Sequence, residues 1–141
     1  MTSTTSTTGT ASTARTTGTA TAPADVVTRF AAALHDGRLD DAVALYEPDA
    51  VFIPQPGADP VRGTAAIRDA LAQFTALRPT LTPDVRKVVV AGDVATVLNA
   101  WRLEGTAPDG SALHLSGTSA DVVRRRPDGT WAMLIDDPWG A

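Results

Sequence analysis

SADVVRRRPDGTWAMLIDDPW, residues 119–139, reads as two β-strands folded about Asp128-Gly129. Alternating, β-branched and aromatic positions run up to the turn from Leu113 to Arg125 and leave it from Trp131 to Ile135. With a two-residue turn, Pro127 faces Thr130, and counting back along both strands sets Asp121 opposite Asp136 on one face. Their Cβ atoms then lie roughly 4.5–5.5 Å apart. If Pro127 instead joins a three-residue loop with a bulge at Gly129, the register slips by one and sends the two acids to opposite faces. Asp136 then only caps the chain end beside Asp137. The residues are compatible with either turn. On a shared face, two ionised acids repel, so one must hold a proton, a cation must sit between them, or water must screen both. A pair whose pKa values are pushed apart is suited to general acid and base work at neutral pH. Its structural alternative is a pair of hydrogen-bonded core polars.

Upstream of this hairpin, Val85 to Val90 and Val94 to Leu103 also read as strands, joined by AGD and APDG turn chemistry. Before Pro83 the period is helical. Val26, Val27, Phe30, Ala33 and Leu34 mark a first helix that Asp25 can cap and Gly37 ends. Leu39, Ala42, Val43, Leu45 and Tyr46 mark a short second helix that stops before Pro48. AVFIPQPG gives a brief strand at Ala50 to Ile53. Ile67, Leu71, Phe74 and Leu77 place a third helix over Thr64 to Leu77. Helices first and a hairpin-linked meander afterwards predict an α+β fold, with three N-terminal helices packed on the concave face of a curved antiparallel sheet.

At 141 residues the chain suits one domain, expected over residues 25–141. Residues 1–24 are more than half Thr and Ser, too poor in apolar side chains to offset the entropy of ordering, and are expected to be a disordered tail. The formal net charge is -4 and Arg124–Arg126 is the only basic run, which argues against nucleic acid as a partner. Cysteine is absent, excluding disulfides, thiolate nucleophiles and cysteine-bound zinc. Two separated histidines, His35 and His114, give no metal site, and no cofactor is expected. His114 alternates away from Asp121 and is expected on the surface or a dimer face. His35 suits the negative end of the first helix. No stretch reaches the roughly 20 apolar residues of a membrane span, and no apolar signal-peptide region opens the chain, so a cytoplasmic protein without a membrane partner is expected.

Three segments together resemble a known family: VVTRFAAALHDGRLDDAVALYEPDAVF (26–52), RGTAAIRDAL (62–71) and the meander closing in DVVRRRPDGTW (121–131). They are similar to the ketosteroid isomerase, SnoaL-like or nuclear-transport-factor-2-like superfamily over essentially all of residues 25–139. The resemblance implies a cone, a bent sheet wrapped around the long helix, with a deep pocket at one end and a homodimer formed through the sheet. Its steroid isomerases place a Tyr in the first helix and a neutral carboxylic acid on the third long strand as an oxyanion hole, with an Asp near the first strand as proton shuttle. Asp121 matches the strand acid, whereas Phe30 stands at the Tyr position and Pro54 at the shuttle. Losing one oxyanion donor alone costs about 10² to 10³ in rate. Steroid isomerisation is therefore not expected.

By the same resemblance, Val97, Asn99, Trp101 and Leu103 face the pocket with Asp121. A buried amide such as Asn99 needs a partner, for which a pocket carboxylate or a ligand would serve. Trp101 offers a broad face to a planar ligand, or simply fills the core. Phe30, Phe52 and Tyr46 complete the expected ligand contacts, with Tyr46 either lending a hydroxyl at the mouth or anchoring its helix. Trp139 is expected to close the base, and Ser116 and Ser119 have no histidine to activate them. The expected protein carries a small, largely apolar molecule in its pocket. Either it catalyses proton transfer beside a carbonyl (isomerisation, cyclisation or dehydration) through Asp121 and Asp136, or it is a non-catalytic homodimer for ligand binding or protein association.

Overall fold

The computed structural model describes residues 20–141. The tail expectation for residues 1–19 lies outside them. The described residues begin at Ala20, within the segment expected to be tail. Ala20 is fully buried, and its carbonyl accepts a hydrogen bond from the Trp131 amide at 2.7 Å. The elements are α1 (Asp25–His35), α2 (Leu39–Ala44), β1 (Tyr46–Phe52), β2 (Val61–Arg62), α3 (Thr64–Leu77), β3 (Thr80–Thr82), β4 (Val85–Ala91), β5 (Val94–Thr106), β6 (Ala112–Arg125) and β7 (Trp131–Asp136).

Each helix has a local cause. In α1, Gly37 at φ 72° takes the left-handed position beyond the last turn. There the Gly37 amide bonds to the Leu34 carbonyl and the Arg38 amide to the Ala33 carbonyl, the Schellman pattern. Asp25 does not cap from outside. It sits inside the first turn, where its carboxylate accepts the Thr21 and Ala22 amides and ties down the preceding turn. The third helix occupies the expected residues, with Ile67 and Leu71 buried on its apolar stripe.

All seven strands form one sheet in the order β2-β1-β7-β6-β5-β3, and β4 pairs with β5. It is mostly antiparallel. The exception is β1, which runs parallel to β7, pairing Tyr46 with Met133 and Phe52 with Asp136. Tyr46 therefore opens β1 and does not close α2. The ladder explains this: the Met133 amide bonds to the Leu45 carbonyl at 2.7 Å and draws the chain into the sheet. Between Tyr46 and Val51 the β1–β7 register jumps, which accommodates Pro48, a residue with no amide to give. The core lies between α1, α3 and the inner face of the sheet, and Val26, Leu45, Ile67, Leu71, Val97 and Val123 are essentially sealed from solvent. Each such aliphatic contributes roughly 1.5–3 kcal/mol by leaving water.

The basic run is spent on structure. Arg124 and Arg126 both donate to buried Glu47, each at 2.9 Å, and Arg126 also reaches the carbonyls of Ala44 and Tyr46. Arg125 pairs with Asp93 in the β4–β5 turn. No helix among the described residues is long and apolar enough to cross a membrane.

Candidate functional site

The final hairpin reaches the acid pairing by a route that neither simple turn describes. Arg126 and Thr130 face each other across a three-residue loop, Pro127-Asp128-Gly129: the Arg126 amide bonds to Thr130 and the Gly129 amide to Arg126. Gly129 takes φ 88°, the conformation that such a loop needs at its last position. The resulting pairs, Arg125 with Trp131 through Val123 with Met133, are slipped by one from the two-residue register. Leu134 then stands unpaired as a bulge, and beyond it Val122 faces Ile135. The bulge restores the register just before the acids, so Asp121 and Asp136 share the inner face.

Both acids are buried, Asp121 at 3% and Asp136 at 6% exposure. One oxygen of Asp121 accepts the Asp137 amide at 2.9 Å, and the two carboxyl groups are hydrogen-bonded to each other. Asp136 also accepts the hydroxyl of Tyr46. Burial, then the charge of Asp136, pushes Asp121 up to about 8. Burial raises Asp136 to about 6, and the hydrogen bonds from Tyr46 and Asp121 hold it below its partner. The two acids thus titrate as one pair, which still holds a proton at neutral pH. Burial and the neighbouring Asp136 charge likewise raise Tyr46 well above the usual phenol range, so it stays a donor.

The pair forms part of the wall of a cavity of about 100 Å³, partly open to solvent and almost wholly apolar apart from Asn99, Ser119, Asp121 and Asp136. Phe30, Phe52, Asn99 and Trp101 line it, as expected. Two expected contacts do not. Val97, the strand partner of Asp121, is sealed in the core behind the wall. Tyr46 is 2% exposed and stands behind the wall, where its hydroxyl meets Asp136 and its ring meets Phe30 edge to face. Asn99 is 5% exposed and gives its oxygen to the Asp84 amide at 2.7 Å, so a backbone group and not a carboxylate satisfies it. Pro54, at the shuttle position, lines the cavity with an apolar ring.

Ser119, Phe74, Met133 and Trp139 also line the wall. Ser119 was legible, since it shares the parity of Asp121 on β6. Met133 was not, because only the bulge at Leu134 brings it to the same face as Asp136. Outside the site, His114 is exposed and lies 3.5 Å from Glu104, and His35 abuts the Pro79 carbonyl at 3.3 Å. Among the described residues no group of three His, Asp or Glu is placed to hold a metal ion.

Comparison with solved structures finds the same architecture. A ketosteroid isomerase-like protein from Erwinia carotovora atroseptica aligns at 16% identity over 79% of this chain and 87% of that one, with a TM-score of 0.68. SalBIII, an epoxide hydrolase/cyclase-like enzyme of pyran ring formation in the polyether salinomycin, aligns at 19% identity over 80% and 85%, with a TM-score of 0.60. A protein from Xanthomonas campestris assigned as a calcium/calmodulin dependent protein kinase II association domain aligns at 21% identity over 81% of each chain, with a TM-score of 0.69. At these identities the likeness is one of fold. The SnoaL-like domain family itself matches residues 27–133, which take in both the helices and the sheet, and the chain belongs to that family.

Proposed function

We propose that the protein binds a small, largely apolar carbonyl compound in this cavity and moves a proton on it, with Asp121 giving a proton or hydrogen bond to the carbonyl oxygen and Asp136 taking one from the adjacent carbon. The observation that carries this reading is the acid pair itself: two buried carboxyls side by side at an apolar cavity, with no cation beside Asp121 among the described residues. An acid protonated at neutral pH can hydrogen-bond a developing oxyanion, and an ionised neighbour can act as base. Tyr46 supplies a phenol to the pair from β1, where the resemblance implied one in the first helix. Isomerisation, aldol-type cyclisation and dehydration beside a carbonyl all begin with this step. The cyclase-like character of SalBIII supports the reading by analogy.

The test is solvent deuterium exchange beside the carbonyl of simple cyclic ketones, followed by proton NMR. The native chain is expected to exchange the α-protons of at least one ketone at least tenfold above buffer, and Asp136→Asn to return the rate to background. Exchange at the buffer rate throughout would overturn proton transfer.

A second reading, a non-catalytic homodimer or association module, is favoured by one feature. Val88, Val89 and Val90 on β4 are 38%, 50% and 54% exposed, and Val94 beside them is 39% exposed. An exposed apolar run on a strand is a recognised mark of an interaction surface. Sedimentation of the native chain against Val89→Lys distinguishes it: a dimer that the variant dissociates supports association.

A further inference from the structure

Aromatic side chains are scarce here, yet all three phenylalanines and two of the three tryptophans, Trp101 and Trp139, line the one cavity. Walls of that kind favour a flat ring, which can meet them in offset or edge-to-face contact. The two tryptophans meet edge to face, centroids 5.0 Å apart at 77°. Gly117 on β6 makes room for them. A Cβ there would lie 3.0 Å from Trp101 Cζ2 and 3.3 Å from Trp139 Cε3.

Their N–H groups are treated differently. Trp101 Nε1 donates to the Pro138 carbonyl at 2.8 Å. Trp139 Nε1 is buried and has no acceptor among the described residues. A buried donor without a partner is disfavoured and points to a group absent from the free chain. Gly117, which supports the Trp139 ring, precedes Asp121 by four strand positions, roughly 13 Å along β6.

We infer that Trp139 is a specificity residue whose indole N–H receives an acceptor oxygen on a flat, ring-bearing ligand held in this cavity. The ring borders the cavity while its nitrogen is covered in the free chain, so reception of the acceptor requires the indole to shift. This rests on the ligand-binding part of the function proposed above and adds the ligand's chemistry: a planar ring with an acceptor at its edge, held at a second point.

The test uses the matched probes 1-tetralone and tetralin, which differ by one carbonyl oxygen, titrated calorimetrically into the native chain and into Trp139→Phe. The native chain is expected to bind the ketone at least tenfold more tightly than the hydrocarbon. Trp139→Phe should reduce that ratio below threefold by weakening the ketone alone. Should Trp139→Phe unfold, replacing the indole by its sulfur isostere benzothiophene removes the N–H and leaves the shape. A ratio near one in the native chain, or one that survives removal of the N–H, overturns the role of Trp139 while leaving the pocket reading intact. Failure of both probes to bind the native chain overturns the two together.

Discussion

Glu47 and Asp121 are both buried acids held against β6, and the fold treats them in opposite ways. Burial works to raise Glu47, but the hydrogen bonds and charges of Arg126 and Arg124 overcome it and leave its pKa lowered. Burial raises Asp121 too, and its nearest charged neighbour is another acid, so the shift is upward. Only two residues of β6, Val122 and Val123, separate Asp121 from Arg124. A buried carboxylate with two arginines is a rivet: it stays ionised and fixes the irregular part of β1 over the sheet, where Pro48 breaks the ladder. A buried carboxyl without a cation keeps a proton available at neutral pH, which structure alone does not require.

The rivet is the costlier of the two to break. Arg126→Met leaves Glu47 with Arg124 alone and frees the carbonyls of Ala44 and Tyr46. The expected loss is about 2–3 kcal/mol in urea unfolding, below the value for a fully buried pair because Arg126 is partly exposed and Arg124 remains. A loss under 0.5 kcal/mol would show that the two acids are not held so differently.

Asp121→Asn should sharpen the contrast through pH. The folded pKa of Asp121 lies above its unfolded value of 3.8, so the native state keeps a proton that the unfolded chain releases. The stability this contributes is complete below about pH 4 and is lost as pH rises towards 8. Glu47, shifted downward, gives the opposite trend, losing its contribution as pH falls below its unfolded value of 4.5. An asparagine can still accept the Asp137 amide and donate to Asp136, without ionising. Thermal unfolding should find the variant close to native at pH 5 and more stable by about 1–3 kcal/mol at pH 9. Equal stability at both pH values would mean that Asp121 titrates as an ordinary acid.

The smallest effect is expected at the loop that joins the two acid-bearing strands. Gly129→Ala meets no atom within 4 Å but must hold φ 88°. It should cost roughly 1 kcal/mol from backbone strain alone, and amide chemical shifts at Asp121 and Asp137 should barely move, because the bulge at Leu134 sets the register there. Large shifts at those amides would mean that the loop positions the acids.

The helices and long strands were legible because their signals are local. Period and stops placed α3 close to Thr64–Leu77, and alternation placed Asn99, Trp101 and Leu103 on one face, which the family resemblance turned inward with Asp121. Tyr46 was misplaced, since helical spacing from Leu39 to Tyr46 continues smoothly and only the amide of Met133, far along the chain, pulls Tyr46 into the sheet. Val97 was misplaced because strand parity gives the face but not whether cavity or core lies behind it.

By itself the sequence determined the α+β class and the order of the helices and long strands, which follow from side-chain periodicity and turn chemistry within a few residues. Tertiary structure alone decided that Asp121 meets Asp136, that Tyr46 joins them, and that the arginines go to Glu47. Each of these depends on a one-residue register or a contact between distant strands. A bulge such as Leu134 leaves no local mark, because the partner strand and the packing beneath it, not its own side chain, determine where the extra residue fits.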